Sequence, residues 1–421
     1  MGKINDGKAK EIIRGLTAAN SAETIARYVG EKLPGEIYPE GQFAGRGVVM
    51  VAGGLKYGVC AWVAIRALRH VGCSLPIEVW YRGAEERQPA LEELTAAYGV
   101  TWIDAFAVRD TTHPHARLNG WECKPYAIQW SRFAEVLFVD ADNVAVRDPS
   151  YLFDAPQYLA DGTVLWPDYA RMAPKREAWQ VFGLADYADA LKESERCVES
   201  GQILIDKRRA WPALCLANWL GERSLFYFAY VYGDKELFHL AWRRLQIPYA
   251  MPSRNIEPLR GTMCQHDFEG RRVFQHRNFG KWNLGENRRV PGFLLEDECL
   301  GWLAELKQLW DPGTSTFAST ADLAAIAAHV GRRYDYVRRD KIERQLVLGP
   351  GGQFAAGGAR CERQWTIRDG RLRICQQDGQ LIMDLQPTAA GGWTGRWLLH
   401  EKMPVELRPV ITQLSPAGQV N

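Results

Sequence analysis

Four consecutive apolar residues, Val136, Leu137, Phe138 and Val139, run directly into Asp140-Ala141-Asp142-Asn143. A run without polar alternation is a strand covered on both faces, which calls for helices packed on either side of a sheet. Its C-terminal end, where the two acids emerge, is where open α/β sheets hold their ligands. The expected class is therefore α/β, with a Rossmann-like, mostly parallel sheet flanked by helices.

The stretch upstream repeats the pattern. Gly47-Val48-Val49-Met50-Val51-Ala52 reads as a strand that breaks at Gly53-Gly54, and helical periodicity follows over 59–71. Strands at 77–81 and 100–103 alternate with a helix at 90–98, and a helix over 125–133 leads into Val136. Strand and helix alternating at this spacing build a parallel sheet. Ahead of it, residues 9–16 and 21–33 read as amphipathic helix. Later helices are expected at 211–220, 235–245 and 296–309, around a short strand at Ile203-Leu204-Ile205. Beyond Asp311-Pro312-Gly313-Thr314-Ser315-Thr316, a stack of chain breakers, comes a short helix at 321–330. Strand-like runs punctuated by Asp369-Gly370 and Asp378-Gly379 follow, and Asp-Gly between alternating strands is a hairpin signal. The expected division is an N-terminal helical segment over 1–42, the sheet domain over 43–311, and a linker helix with a small antiparallel β-rich accessory domain over 312–421.

Composition excludes several classes. A net charge of +2 over 421 residues, with no long Lys/Arg stripe, leaves no footprint for nucleic acid. No run approaches the ~18 apolar residues of a membrane span, and Met1-Gly2-Lys3-Ile4-Asn5-Asp6 lacks the apolar region of a signal peptide. The expectation is a cytoplasmic enzyme, with peripheral attachment to a membrane left open. Nine scattered cysteines, never spaced C-x-x-C, point to neither a zinc site nor a disulfide framework. Among the sixteen tryptophans, Trp166 and Trp282 stand beside polar residues, as in sugar sites, with core packing as the alternative.

Two carboxylates one residue apart can face a single cation where the chain turns out of a strand. Their hard oxygens select Mg²⁺ or Mn²⁺, ions that usually carry substrate phosphates as well. Asp140 and Asp142 are thus candidate metal ligands, of the kind a DXD motif supplies in nucleotide-sugar transferases. Further on, Phe274-Gln275-His276-Arg277-Asn278-Phe279-Gly280-Lys281-Trp282 places an imidazole and an ammonium close together. His276 can complete a Mn²⁺ shell and Lys281 can neutralise a departing diphosphate, with His266 the competing ligand. The glycines after the first strand lack the second half of G-x-G-x-x-G, so no dinucleotide fingerprint is present. Ala52, Gly53, Gly54 and Tyr57 remain candidates for holding a base and sugar, a tight strand-to-helix turn being the alternative.

Several of these blocks resemble, in the same order, the fungal Golgi α-mannosyltransferases that extend mannoprotein glycans. They are Val49 to Gly54, Leu75 to Tyr81, Lys124-Pro125-Tyr126-Ala127-Ile128 with Asp140-Ala141-Asp142-Asn143, Trp166-Pro167-Asp168, Glu199-Ser200-Gly201-Gln202 and Gly233-Asp234-Lys235-Glu236. The resemblance implies a GT-A fold, a nucleotide-sugar donor (GDP-mannose in the fungal enzymes), Mn²⁺, and transfer with retention to an α-linkage on a glycan hydroxyl. The run from His276 to Trp282 also looks like the metal and diphosphate motif of glycogenin-like and galactosyltransferase-like retaining enzymes, which maps His276 to the metal and Lys281 to the diphosphate. Lys124 matches the lysine ahead of DXD and would touch the donor.

For retention, Asp168, Glu199 and Asp234 are the carboxylates on offer. The expected route is same-face substitution, with Gln202 and Asp234 positioning sugar or acceptor and no covalent nucleophile. Asp168 and Asp234 fit helix caps equally well. Competing readings are a UDP-hexose (galactose or glucose) transferase, a catalytically silent glycan-binding protein on a transferase scaffold, and a nucleotidyltransferase.

Overall fold

The structure, a computed structural model, describes residues 11–113, 116–169, 176–184, 196–311, 316–376, 380–398 and 403–410. The chain divides into two compact units, Met1–Trp302 and Leu303–Asn421. The break falls inside the helix Glu296–Leu309, ahead of the stacked breakers after Asp311, of which 312–315 lie outside the described residues. The N-terminal helix Ala18–Arg27 and the turns after it bury Ile25, Tyr28 and Leu33 in the core of the first unit, so they are part of that unit. Residues 9 and 10 of the first expected helix lie outside the described residues.

In chain order the first unit has strands β1 (Arg46–Val51), β2 (Ile77–Tyr81), β3 (Val100–Asp104), β4 (Glu135–Val139), β5 (Asn143–Ala145), β6 (Thr163–Pro167), β7 (Val198–Asp206), β8 (Glu257–Leu259), β9 (Thr262–His266) and β10 (Arg272–His276). Six form the central sheet, in the order β3-β2-β1-β4-β7-β6. The first four run parallel, as the apolar runs and intervening helices demand, while β7 lies antiparallel to both β4 and β6. Reversal of β7 brings its first residues to the edge where β1, β4 and β6 end. Covering helices include Gly54–His70, Cys123–Trp130 and Lys207–Glu222, each close to its expected place. This is the mixed α/β architecture that the GT-A resemblance implied.

A second sheet, in the order β5-β10-β9-β8, is antiparallel. It had no counterpart in the sequence reading, because its strands are three to five residues long and carry too little periodicity. Its function is registration: β10 pairs with β5 so that His276 lies opposite Asn143.

Trp166 and Trp282 belong to the core. Trp166 is 0% exposed, packs edge-on against Phe274 and donates its indole N–H to the His266 carbonyl at 2.9 Å. Trp282 is buried under the Arg277 guanidinium and against Phe293. Neither offers a face to a sugar, which corrects that expectation.

The second unit holds eight antiparallel strands between Arg333 and Pro409, around a core that includes Tyr334, Tyr336, Leu346, Ile367, Leu372 and Leu407. Asp369 and Gly370 both adopt left-handed φ (53° and 67°) between paired Arg368 and Arg371, the geometry of a two-residue hairpin. The Asp378-Gly379 turn lies outside the described residues. Trp365, on one edge strand, donates its indole N–H to the Gly349 and Gln353 carbonyls beside the other edge, drawing the two edges together. Among the described residues no helix is long and apolar enough to cross a membrane.

Removing the Trp166 side chain leaves a cavity between the two sheets of the first unit. Trp166→Ala is expected to lower stability by about 3–5 kcal/mol, read as a shifted midpoint in chemical denaturation.

Candidate active site

The acids after β4 sit on a tight turn, in which the Asn143 N–H returns to the Asp140 carbonyl at 3.0 Å. The chain then enters β5, and the register of β5 with β10 carries the His276 ring over the turn. His276 Nε2 lies 3.4 Å from Asp142 Oδ1 and 3.9 Å from Asp140 Oδ2. One ligand atom from each of Asp140, Asp142 and His276 falls within 4.8 Å of the others. Two carboxylate oxygens and an imidazole nitrogen fit Mn²⁺ or Mg²⁺, and the imidazole favours Mn²⁺. His266 is ruled out as the third ligand here: it is buried on β9 and faces Glu257 at 3.3 Å.

Glu199, at the start of β7, fixes the His276 ring. Its Oε1 accepts from His276 Nδ1 at 2.9 Å and from the Gly201 N–H at 2.6 Å, and its Oε2 accepts from Gln202 Nε2. With a metal in place of the Nε2 proton, a proton held on Nδ1 would leave Nε2 as the ligating atom, the arrangement in which a carboxylate orients a metal-binding histidine. There is no room at Gly201 for a side chain: a Cβ would stand 2.5 Å from both His276 Nδ1 and Glu199 Oε1.

Two lysines hold the aspartates. Lys124, on the helix Cys123–Trp130, lies 3.1 Å from Asp140 and 2.8 Å from Asp234 Oδ2, and donates to the Ser200 carbonyl and hydroxyl at 3.1 Å. Ser200 donates in turn to Asp234 at 2.7 Å. Lys281 forms an ion pair with Asp142. Buried charges persist only when paired in this way. Burial pushes the Asp140 carboxyl up to about 6, with Lys124 and His276 opposing it. At Asp142 burial is overcome by His276 and Lys281, and the carboxyl stays well below its ordinary range. Burial likewise opposes charge on His276, but Asp142 and Glu199 hold its pKa well above the ordinary histidine value.

These groups open into one cleft of about 450 Å³. Its lining contains Gly53, Tyr57, Lys124, Asp140, Asp142, Asp168, Glu199, Asp234, His276 and Lys281, ten of the residues singled out from sequence. Asp168 is held by Lys235 at 2.6 Å. Asp234 opens the helix Asp234–Leu245, but its carboxylate turns to Lys124 and Ser200 and caps no backbone; the N-cap position is Gly233.

Three expected residues do not reach the cleft. Gln202 is 0% exposed and spans Glu199 and Asn143 beneath the site, because it lies deeper in β7, paired with Val139. It braces the site from beneath. Ala52 is buried, its N–H bonded to the Trp80 carbonyl, and Gly54 serves the strand-to-helix turn with φ of 65°. Conversely, Trp121, Ser200, Tyr232 and Lys235 line the cleft without having been singled out. Ser200 and Lys235 fall inside the quoted blocks, whereas Trp121 and Tyr232 carry no signal except adjacency to Lys124 and Asp234.

Because Gly201 is packed against the Glu199–His276 pair, Gly201→Ala is expected to weaken Mn²⁺ binding by about 10–100-fold, the usual cost of disturbing an outer partner of a metal ligand. Electron paramagnetic resonance of free Mn²⁺ reads this directly, with unchanged circular dichroism showing an intact fold.

Part of the chain matches known proteins. Residues 45–196 match a family model described as a mannosyltransferase. The α-1,2-mannosyltransferase MNN24 of Candida albicans is 26% identical over 265 residues, covering 54% of this chain and 37% of that protein. MNN2 of Saccharomyces cerevisiae is 27% identical over 293 residues, covering 58% and 48%. The chain thus spans half or less of the length of these relatives. Among solved structures, galactosyltransferase LgtC with donor and acceptor sugar analogs aligns at 15% identity over 49% of this chain and 73% of that one, with a TM-score of 0.35. Apo GlyE of Streptococcus pneumoniae TIGR4 aligns at 13% identity over 66% of each chain, with a TM-score of 0.37. Residues 45–196, the stretch that supplies Asp140 and Asp142, match the mannosyltransferase family model, and the chain is similar over about half its length to fungal α-1,2-mannosyltransferases.

Proposed function

We propose that this protein is a metal-dependent, retaining α-mannosyltransferase that moves mannose from GDP-mannose to a glycan hydroxyl. The observation that carries the reading is the convergence of Asp140, Asp142 and His276 in a cleft that also presents Lys281, within a chain homologous to mannosyltransferases. Cleaving the anomeric C–O bond builds negative charge on the leaving diphosphate and positive charge on the ring. A divalent ion held by Asp140, Asp142 and His276 would act as a Lewis acid toward the diphosphate. Lys281 adds a preorganised cation beside it, worth most in a desolvated site. Glu199 holds the ligating tautomer of His276, and Lys124 ties Asp140 to Asp234, so neither carboxylate swings when substrate enters.

Retention through a covalent intermediate needs a carboxylate free to move onto the anomeric carbon. Asp168 is on Lys235, Asp234 is on Lys124 and Ser200, and Glu199 is on His276, Gly201 and Gln202. That supports same-face substitution, in which the acceptor hydroxyl enters beside the leaving group. Asp234 is the chain's own group for orienting that exchange.

Two measurements test the reading. With Mn²⁺ present, GDP-mannose is expected to raise the melting temperature, since a ligand bound only by the native state must stabilise it. UDP-galactose or UDP-glucose doing so instead would move the donor assignment to a UDP-hexose. Lys281→Met is expected to lower kcat by about 10²–10³-fold at unchanged fold, and Asp142→Asn to abolish turnover. Full activity in the presence of a chelator would refute metal dependence. Glycan binding with no turnover of any donor would mark a silent binding protein.

A further inference from the structure

Strand order ranks the cleft from end to end. Arg82 follows β2, Gly53 follows β1, Asp140 and Asp142 follow β4, Ser200 lies near the start of β7, and Asp168 follows β6. The metal-ligand cluster therefore sits mid-cleft, with Tyr57 and Gly53 to one side and Asp168 to the other. From β4 to β6 is two strand spacings, roughly 10 Å.

Two aromatic rings border the cleft, and one of them, Tyr232, lies 5.7 Å from the Lys235 ammonium that pairs with Asp168. Trp121 is 56% exposed and Tyr232 is 81% exposed, yet both line the cleft. The indole is held in place: a Cβ on Gly233, whose φ is 144°, would stand 2.8 Å from Trp121 Cε3, and Phe228 packs edge-on at 6.0 Å. The Trp121 carbonyl accepts from the Lys124 N–H at 3.1 Å, which ties its backbone to the site's own helix. Polar neighbours are charge-balanced, Lys235 by Asp168 and Lys124 by Asp234 and Asp140, so an anionic ligand finds no unclaimed ammonium between them. A fixed apolar face beside carboxylate oxygens with lone pairs to spare suits a ligand with a C–H face and neutral hydroxyls.

We infer that Trp121 and Tyr232 form a stacking subsite for the terminal pyranose of an uncharged glycan, with Asp168 and Asp234 receiving its hydroxyls. Calling that glycan the acceptor rests on the transferase reading; the binding site itself does not.

The test uses the full chain and a panel of neutral disaccharides led by α-1,2-mannobiose, titrated by isothermal calorimetry. Trp121→Ala is expected to weaken the best-bound disaccharide at least tenfold, and Trp121→Tyr to recover most of the loss. Where turnover is measurable, KM for that sugar should rise alone, with the GDP-mannose KM within twofold of wild type. Equal affinity in wild type and Trp121→Ala would overturn the inference, as would failure of the wild type to bind any member of the panel. So would tighter binding of mannose 6-phosphate than of mannose, or a matching loss of the melting shift given by GDP-mannose with Mn²⁺. Disaccharide binding that depends on Trp121 in a chain that turns over no donor would uphold the subsite and refute the transferase.

Discussion

Pairing of β5 with β10 is the constraint on which the rest of the site depends. Asp140 and Asp142 lie on one continuous turn, but the third member of the cluster comes from a strand more than a hundred residues later. Antiparallel register sets His276 opposite Asn143, and a slip of one residue would turn its side chain to the other face. The Arg277 N–H bonded to the Asp142 carbonyl at 2.9 Å carries the contact one residue beyond the ladder. A small second sheet thus joins an imidazole to two acids and makes of them a three-sided candidate cation site.

Electrostatics then dictates what surrounds that site. Placing Asp140, Asp142, Asp234 and Glu199 together without partners would be prohibitive, so Lys124, Lys281 and His276 are interleaved among them. The same ion pairs that make the cluster tolerable also hold each group in place, so stability and preorganisation come from one set of contacts. Reversal of β7 is part of this arrangement, since a parallel strand there would deliver its C-terminal end and not Glu199 and Ser200.

Much of this was legible beforehand, and the limits have physical causes. The apolar run at Val136 announced a covered strand, and acids at its end announced a ligand site. Lys124, His276 and Lys281 were readable because their chemistry is rare at such spacing and because whole blocks resembled a family. Gln202 was misplaced because position in a block does not say which face of a strand a residue occupies or how deep it lies. Trp166 and Trp282 looked like sugar platforms and are core, whereas Trp121 was passed over and lines the cleft. Exposure of an aromatic ring depends on what packs against it, which no local pattern records.

The amino-acid sequence by itself determined the α/β class, the strand that ends in Asp140-Ala141-Asp142, the chemistry of the ligand set and the antiparallel character of the second unit, because periodicity and residue type are local properties. Only the tertiary structure decided that β7 runs backwards, that Glu199 serves His276, that Lys124 joins Asp140 to Asp234, and that Trp121 faces the cleft. Each of those follows from long-range strand register and from the need to pair buried charge, and both are satisfied only when distant segments meet.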